Sequence, residues 1–419
     1  MKMKTKNSRL VITGMGAVTP IGIGVDEYWK NLVAGKCGVG EITRFDTSEL
    51  PVKIAAEVKD FDALQYMPKK LTREMDVFMQ YGYAAAMEAI AQAGEDNIAE
   101  PERMGIVVGT ALGGIAPITE TQDGVSRGEH KKVSPRFVPK IIGNEAAAQV
   151  AIQKGYRGPS LTVSTACSSG GDAISTACML LMSGQADAVL AMGTESALSP
   201  LFILGLSSAH ALSTNNDNPQ GASRPFDKDR DGFVIGEGGG ALIIETEEHA
   251  KERGAEILCE LAGFSNCTDG YHVTSPHPDG IGAVFCMEKA IEHAGLTTDD
   301  VDYINTHGTS TPVGDPIETD AIARLFGGHA KDMAVTSTKG ATGHMMGAGG
   351  ITEAITCIQC IREGVVPPTL NLENPDEKCV PLNYVPGEAQ RKDVKVAMSN
   401  SFGFGGQNSS VIFKKYEEE

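Results

Sequence analysis

The 419-residue sequence lacks any run of about 18 uninterrupted apolar residues, so it offers no candidate membrane-spanning helix. Its 49 glycines follow no three-residue period, which excludes a collagen-like chain. We also expect no secretion signal: Lys2, Lys4, Lys6 and Arg9 precede an apolar run, but Gly14 soon interrupts it and no convincing cleavage site follows. We therefore expect a cytoplasmic protein without a membrane partner.

The chain also has fewer basic than acidic residues, and its number of cysteines is odd. Its 36 Lys and Arg residues face 54 Asp and Glu residues, for a net charge of −18. This balance argues against a nucleic-acid binder, which needs cationic surface. Nine cysteines without a spacing framework favour free thiols over disulfides. No P-loop or convincing dinucleotide motif occurs, so we predict no nucleotide or other organic cofactor.

The sequence does contain short Val-, Ile- and Leu-rich runs that alternate with longer Ala-rich stretches. Continuous apolar strands between helices are typical of sheets that are buried on both faces, and this predicts an α/β fold. The predicted strands include residues 10–13, 106–108, 161–163, 188–191, 241–244 and 394–398.

Two internal repeats indicate a duplication. Residues 89–94 resemble 290–295, and each segment ends an amphipathic helix at a glycine. Residues 165–171 loosely match 342–348, and each segment follows a strand-like run and opens a helix. Chance similarity between Ala-rich helices is the alternative. We favour two similar halves packed as one body: residues 1–259 and residues 260–419.

Cys167 is the first candidate for chemistry. It follows the strand-like run 161–163, at the point where small residues open a helix. A thiol at a helix N-terminus feels the positive end of the helix dipole, which favours the thiolate. The alternative is a buried structural cysteine, the usual role of this residue type.

Two glycine-flanked histidines raise the prospect of catalysis. His307 lies in a loop that leaves the strand containing Ile304, and His344 again lies where a strand passes into a helix. Ligands of doubly wound folds gather at the carboxyl ends of strands, which is where Cys167 and both histidines are predicted to lie. We therefore expect the three side chains to meet.

A second cysteine motif is a weaker candidate. Cys357 and Cys360 form a CxxC pattern inside an apolar helix, with no second pair of ligands. Metal binding or redox chemistry is disfavoured there, and we predict no metal site.

Four separated motifs resemble those of the β-ketoacyl-[acyl-carrier-protein] synthases, and most closely those of the elongating type II enzymes. The similarity extends from Arg9 to Phe413. It implies a thiolase-like duplicated five-layer αβαβα fold, a homodimer and acyl carrier protein as partner. The motifs are TACSS at 165–169, HGTST at 307–311, Lys339 with TGH at 342–344, and NSFGFGG at 400–406.

The resemblance implies that Cys167 takes an acyl group from acyl carrier protein as a thioester. Malonyl carrier protein then loses carbon dioxide, and the resulting carbanion attacks that thioester. His307 and His344 would donate hydrogen bonds to the thioester oxygen on which charge develops. The N–H groups of Cys167 and Phe404 would form a second oxyanion hole, and Phe404 would act as a gate.

Further roles are implied by the same resemblance. Lys339 would bias the local field without touching the reacting carbons, with Glu353 as its acidic partner. Thr309 and Thr311 would hydrogen-bond the pantetheine arm; as bare loop residues they would indicate only turn chemistry. The acyl tunnel would be lined by Leu112 and Leu206, although ordinary core leucines are nearly as good an explanation. Gln407 stands where relatives usually carry Thr or His.

Docking of an acidic carrier protein onto an acidic enzyme requires a local basic patch. Two clusters align with carrier-contacting segments of the family, although His210 replaces an arginine that many relatives carry nearby. Solvated surface charge is the alternative. The clusters are Lys69, Lys70 and Arg73, and Arg127, Lys131 and Lys132.

Other classes fit the sequence less well. A degradative thiolase needs a second reactive cysteine near the C-terminus, and none follows Cys379. Initiating synthases carry Asn at the place of His344, and a non-catalytic chain-length factor would have lost Cys167. A cysteine hydrolase needs one base and an orienting group, whereas this sequence has two histidines and no obvious orienting Asp or Asn. A ketosynthase of a specialised polyketide pathway remains the alternative to fatty acid elongation.

Overall fold

The computed structural model describes residues 9–95 and 98–418. Lys2, Lys4 and Lys6, on which part of the localisation argument rests, lie outside the described residues. None of the helices in the described ranges is long and apolar enough to cross a lipid bilayer.

Fifteen strands are present in the described chain. They are β1 (Leu10–Thr19), β2 (Gly22–Ile23), β3 (Gly40–Glu41), β4 (Ile54–Ala55), β5 (Met104–Gly109), β6 (Ser160–Val163), β7 (Ala188–Glu195), β8 (Gly238–Thr246), β9 (Cys259–Thr268), β10 (Tyr303–Asn305), β11 (Ala334–Thr336), β12 (Val365–Val366), β13 (Gln390–Arg391), β14 (Val396–Gly403) and β15 (Gln407–Lys414).

Thirteen α-helices accompany these strands within the same ranges. They are α1 (Val25–Val33), α2 (Lys69–Thr72), α3 (Val77–Ala93), α4 (Ile115–Ser126), α5 (Phe137–Ile141), α6 (Glu145–Lys154), α7 (Ser169–Met182), α8 (Pro200–Ser208), α9 (Glu247–Glu252), α10 (Ile281–His293), α11 (Gly314–Phe326), α12 (Lys339–Thr342) and α13 (Gly349–Glu363).

The main sheet consists of two runs of strands with the same order. Its order is β11-β10-β14-β15-β9-β1-β8-β7-β5-β6, with β2 paired to β1. One run is β1-β8-β7-β5-β6 and the other is β9-β15-β14-β10-β11. When the five strands of each run are numbered in chain order, both runs have the order 1-5-4-2-3 from the centre of the sheet to its outer edge. The two runs join where Leu10–Ile12 pair antiparallel with Cys259–Leu261. The repeated order is the structural counterpart of the internal repeats in the sequence.

Two helices pack between the facing surfaces of the two runs of strands, and other helices cover the outer surface of each run. In the middle, α7 packs on β5 and β7 and also on β15, while α13 packs on β14 and on β8. On the outside, α3 covers β1 and β8, and α10 covers β9 and β15. These layers confirm the predicted thiolase-like, duplicated αβαβα fold.

The two central helices approach each other closely because both begin with glycines. A Cβ on Gly170 would lie 2.8 Å from the Gly347 carbonyl oxygen, and one on Gly350 would lie 2.5 Å from the Gly171 nitrogen. Nearly every residue of α13 is buried, as expected for a helix enclosed on all sides. The close contact places the starts of α7 and α13 side by side, and both starts carry functional candidates.

Candidate active site

Cys167 lies in a tight turn between β6 and α7. The preceding residue, Ala166, adopts a left-handed conformation with φ 51°, which costs energy for any residue with a side chain. The Ser169 hydroxyl stabilises the turn, because it accepts the Thr165 N–H at 2.9 Å and donates to the Ala166 carbonyl at 2.7 Å. The turn directs the half-buried Cys167 into a cavity.

The equivalent turn of the second half shows that the sequence match between the halves was slipped. Met346 is left-handed with φ 47° and precedes α13 as Ala166 precedes α7. The structural counterpart of Cys167 is therefore Gly347, three residues beyond the His344 with which sequence analysis had paired it. Both turns are rich in small residues, so the sequence alone does not fix the alignment of one half on the other.

His307 is held by its backbone. The N–H groups of His307 and Gly308 donate to the two carboxylate oxygens of Glu318 in α11, each at 2.8 Å. Glu318 is buried, and this desolvation raises the pKa of its carboxyl to about 7, although the two N–H bonds oppose the rise. Sequence analysis missed Glu318; its place eleven residues after His307, at the start of an apolar helix, was the available signal.

His344 is fixed from the other side of the cavity. Its N–H donates to the Val234 carbonyl at 2.7 Å, and its own carbonyl accepts the Gly236 N–H at 2.9 Å. The ring of Phe233 meets the imidazole edge to face, with centroids 5.3 Å apart. Two backbone hydrogen bonds thus fix the position of His344, and the Phe233 ring packs against its side chain.

The structure brings Cys167, His307 and His344 together. The Cys167 Sγ and one ring nitrogen of each histidine all lie within 4.8 Å of one another. The Nδ1 atom of His307 and both ring nitrogens of His344 are buried without a hydrogen-bond partner in the described residues. Unpaired buried polar atoms are costly, so they point to a ligand that would satisfy them.

Both imidazoles are neutral near pH 7. Burial, and then the nearby charge of Lys339, hold the pKa of each histidine well below its ordinary value of 6.5. A neutral imidazole carries one N–H and one lone pair. Each ring can therefore donate one hydrogen bond into the cavity without carrying a charge.

The Cys167 thiol does not behave as the helix dipole predicted. Burial raises its pKa to about 11, and the opposing effects of the Phe404 N–H and the Lys339 charge are smaller. The expectation of a thiolate favoured by the helix N-terminus was wrong because desolvation outweighs the dipole here. The thiol must therefore lose its proton to a base when it attacks.

Lys339 and Glu353 form a buried ion pair behind the histidines. Their side chains are 2% and 4% exposed, and the Lys339 ammonium donates to the Glu353 carboxylate. Neither residue lines the cavity. Lys339 acts on the site through its field, since its charge lowers the pKa of Cys167, His307 and His344.

The cavity has a volume of about 600 Å³. Leu206 is buried in its wall, whereas Leu112 is 38% exposed. Thr309 and Thr311 lie 3.3 Å apart through their hydroxyl oxygens. The predicted residues that line it are Leu112, Cys167, Leu206, His307, Thr309, Thr311, His344 and Phe404.

Phe404 sits at the tip of the hairpin between β14 and β15. Gly405 and Gly406 adopt positive φ angles of 87° and 72°, which only glycine tolerates readily. Gly403 pairs with Gln407 across the hairpin. The Phe404 N–H lowers the pKa of the Cys167 thiol, and Phe404 as a whole is 38% exposed.

A second acid that sequence analysis missed supports the cavity floor. Glu195 ends β7 fully buried and accepts the N–H groups of Ala111 at 2.6 Å, Leu112 at 3.3 Å and Gly347 at 3.2 Å. Burial raises the pKa of this carboxyl to about 7. An acidic residue that ends an otherwise apolar strand was the available sequence signal.

The basic clusters lie on the surface, outside the cavity. All six side chains are exposed, and Lys132 is paired with Glu129 at 3.0 Å. Asp76, just after the first cluster, feels the charges of Lys140 in α5 and Glu120 in α4. The second cluster lies in the chain between α4 and α5.

The CxxC pair is part of the core. Cys357 and Cys360 are fully buried in α13, and desolvation raises the pKa of both thiols well above the ordinary value. Elsewhere in the described residues, Cys167, His307 and His344 are the one group of three potential ligands close enough to share an ion. This donor set is of a kind that zinc accepts, so an activity assay needs a chelator control.

Comparisons with known proteins agree on one family. Residues 7–250 match the model "Beta-ketoacyl synthase, N-terminal domain", and residues 258–373 match "Beta-ketoacyl synthase, C-terminal domain". The chain is 45% identical over 408 residues to 3-oxoacyl-[acyl-carrier-protein] synthase 2 of Coxiella burnetii, covering 97% of this chain and 98% of that protein.

Solved structures give the same result. A β-ketoacyl synthase from Burkholderia phymatum superposes with a TM-score of 0.90 at 36% identity, covering 98% of this chain and 100% of that one. The ishigamide ketosynthase/chain length factor superposes with a TM-score of 0.91 at 32% identity, with the same coverage.

Proposed function

The chain belongs to the β-ketoacyl synthase family, and we propose that it is an elongating 3-oxoacyl-[acyl-carrier-protein] synthase of fatty acid synthesis. It condenses an acyl group on Cys167 with malonyl-[acyl carrier protein] and lengthens the chain by two carbons. The observation that carries the proposal is the cluster of Cys167 with two unpartnered, neutral imidazoles in one cavity. Relatives of similar length named 3-oxoacyl-[acyl-carrier-protein] synthase 2 support the substrate class.

The first half-reaction is acyl transfer. The Cys167 sulfur attacks the acyl thioester, and a neutral imidazole accepts the thiol proton that the raised pKa keeps in place. The oxyanion of the tetrahedral intermediate is stabilised by the N–H groups of Cys167 and Phe404. The carrier-protein thiolate then leaves and takes up a proton, and the acyl group remains on Cys167.

The second half-reaction is decarboxylation. The carbon–carbon bond of the malonyl group breaks, carbon dioxide leaves and charge moves onto the thioester oxygen. His307 and His344 donate one hydrogen bond each to that oxygen, which their neutral state allows. The carbanion attacks the acyl thioester, Cys167 leaves as a thiolate, and the product is 3-oxoacyl-[acyl carrier protein].

Lys339 and Glu353 are positioning residues in this proposal. The ion pair holds the segment that carries His344 and places a positive charge near the site. That charge disfavours protonation of either imidazole, which keeps both rings in the donor state the reaction needs. The reaction itself requires no metal or organic cofactor.

The cavity provides a place for each part of the substrate. Leu112 and Leu206 are proposed to contact the acyl chain, while Thr309 and Thr311 hydrogen-bond the pantetheine arm. Phe404 covers Cys167 when the site is closed, and its two glycine neighbours allow the loop to move.

Acyl carrier protein is the proposed macromolecular partner. The exposed clusters Lys69, Lys70, Arg73 and Arg127, Lys131, Lys132 supply positive charge on an otherwise acidic protein. The second cluster lies between α4 and α5, two helices whose charges act on Asp76 just after the first cluster, and both clusters are proposed to contact the acidic partner.

A homodimer is proposed from the edge of the main sheet. The last strand, β6, pairs on one side with β5 and has no partner strand on the other side in the described chain. Three of its four residues are exposed, among them Leu161 at 45%. An unprotected apolar edge strand is a ready surface for pairing with a second copy.

Two further proposals follow from the whole chain. Division into an N-terminal half at 1–259 and a C-terminal half at 260–419 is supported by the repeated strand order. A cytoplasmic location is supported by nine cysteines that are all free, as is usual in a reducing compartment.

Reconstitution tests the function. Purified enzyme, acyl-[acyl carrier protein] and malonyl-[acyl carrier protein] should yield 3-oxoacyl-[acyl carrier protein] by mass spectrometry, with the same rate in excess EDTA. A product carrying several unreduced keto groups would instead indicate a polyketide synthase. Hydrolysis of the acyl thioester without malonyl carrier protein would indicate a cysteine hydrolase, and the absence of both acyl-enzyme and product a non-catalytic subunit.

A further inference from the structure

Two cysteines that the proposed reaction does not use lie against each other between β9 and α10. The Cys267 thiol lies 3.3 Å from the Gly282 carbonyl oxygen in the first turn of α10. The Cys286 thiol lies 3.3 Å from the Ser265 carbonyl oxygen, two residues before Cys267 on β9. Each thiol therefore contacts the backbone segment that carries the other, and each thiol affects the pKa of the other.

The two thiols differ in exposure and acidity. Cys286 is fully buried, whereas Cys267 is half-buried and so can meet a small molecule from solvent. The neighbouring Cys286 thiol lowers the pKa of Cys267, and the Asn408 amide, 3.8 Å from the sulfur, acts in the same direction. All eight other cysteines have a raised pKa. Thiolate character and access are what make a cysteine react with peroxide.

The pair adjoins the hairpin that carries Phe404. Asn408 in β15 stands directly opposite Cys267 in β9, and its amide also donates to Asp269 at 2.7 Å. The Asp269 N–H in turn donates to the Gly406 carbonyl at 2.8 Å. Asn408 and Asp269 both line the catalytic cavity. A change at Cys267 is therefore one contact away from the hairpin.

We propose that Cys267 and Cys286 are a redox site, which hydrogen peroxide or another two-electron oxidant converts to a disulfide that slows condensation. The Cys267 thiolate attacks one peroxide oxygen, which gives a sulfenic acid and, after protonation, water. The Cys286 sulfur then attacks the sulfenic sulfur and releases a second water. Two thiols lose two electrons and two protons, and one peroxide takes them up to become two waters.

The disulfide affects the reaction because it lies next to the hairpin that carries Phe404. It ties β9 to the first turns of α10 and constrains the sulfur that accepts the Asn408 amide, next to the Asn408–Asp269–Gly406 chain that holds the hairpin. The bond resists the loop movement that lets substrate reach Cys167. This effect on turnover rests on the proposed function, whereas formation of the disulfide does not.

Peptide mapping tests the chemistry without any assay of turnover. Wild type, Cys286→Ser and Cys37→Ser are treated with hydrogen peroxide, alkylated, and digested with trypsin and a protease that cuts before Asp269 and Asp279. Cys37→Ser is the control, because Cys37 is half-buried but not next to another thiol. Wild type and Cys37→Ser should both give a pair of peptides that is joined through Cys267 and Cys286 and that dithiothreitol separates. Cys286→Ser should give none. Reduced Cys267 and Cys286 in oxidised wild type would overturn the proposal.

A single-turnover assay tests the consequence. Enzyme first acylated at Cys167, which protects that thiol as a thioester, is oxidised and then mixed with malonyl-[acyl carrier protein]. Wild type should lose most of its condensation rate and recover it with dithiothreitol, while Cys286→Ser keeps its rate. A bridged enzyme with an unchanged rate would overturn the regulatory claim. Failure to acylate or condense before oxidation would count against the proposed function instead.

Discussion

The rings of His307 and His344 meet edge to face, with centroids 5.3 Å apart and an angle of 87° between their planes. Two imidazolium ions at this distance would repel each other strongly in a buried site. Burial and the charge of Lys339 keep the pKa of both well below the ordinary value. The arrangement is that of two neutral donors that converge on one acceptor.

The first prediction separates the half-reactions. His307→Ala and His344→Ala should each slow malonyl decarboxylation by about 10²–10³-fold, the usual effect of losing one oxyanion donor. Acyl transfer to Cys167 should fall less. Release of carbon dioxide and formation of acyl-enzyme are measured separately, with the exposed His293→Ala as control. A variant with normal decarboxylation and no acylation would make that histidine only the base for Cys167 and would refute its role as a donor in decarboxylation.

The second prediction concerns pH and stability. The pKa of Glu318 is about 7 in the folded protein and near 4.5 when unfolded, so the folded state binds more protons between these values. Its contribution to stability is present below pH 4.5 and is lost as the pH rises through 7, by about 3 kcal/mol at most. Glu318→Gln cannot ionise and should lack this loss.

Urea unfolding at pH 5 and pH 8 measures the effect. The free energy of unfolding of wild type relative to Glu318→Gln should fall between the two pH values. The exposed Glu363→Gln variant controls for the loss of one negative charge. Equal pH dependence in wild type and Glu318→Gln would show that the Glu318 carboxyl is not the buried group inferred from its two N–H contacts.

The third prediction concerns the acyl chain. Leu112→Phe should shorten the longest acyl chain accepted, because a larger ring fills part of the cavity that Leu112 lines. Rates with a series of acyl-[acyl carrier protein] substrates give the profile. Leu201→Phe, at a 63% exposed leucine outside the cavity, should leave it unchanged. A normal profile in a folded Leu112→Phe enzyme contradicts the placement.

The fourth prediction concerns docking. Lys69→Glu with Lys70→Glu should raise the KM for acyl-[acyl carrier protein], with a much smaller effect on small pantetheine thioesters. The effect should weaken with salt, since screening acts over about 8 Å at 0.15 M. Lys30→Glu with Lys36→Glu makes the same change of charge elsewhere and is the control. Equal loss with both substrate classes would refute docking at this cluster.

Much of the fold could be predicted from local pattern. Every predicted strand overlaps an observed one. Apart from the exposed edge strand β6, these strands are largely buried, and strands buried on both faces are continuous apolar runs. Glycines 94 and 295 follow the two matched helices with positive φ, as the repeat suggested. Pairing of β1 with β9 joins segments nearly 250 residues apart, and no local pattern encodes such a contact.

The site was only partly accessible to sequence analysis. Motifs located Cys167, His307 and His344, but the contact of Glu318 with the His307 backbone depends on how α11 packs. The pKa of Cys167 was predicted in the wrong direction because burial cannot be read from a strand-to-helix turn. The neighbouring thiols of Cys267 and Cys286 are nineteen residues apart in sequence and meet only when α10 packs on β9.

Mass spectrometry of the acyl-enzyme tests the central claim most directly. Wild type incubated with acyl-[acyl carrier protein] alone should carry one acyl group, and peptide mapping should place it on Cys167. Cys167→Ala should carry none and form no 3-oxoacyl product when malonyl-[acyl carrier protein] is added. An acyl group on any of the other eight cysteines, or condensation by Cys167→Ala, would contradict the account.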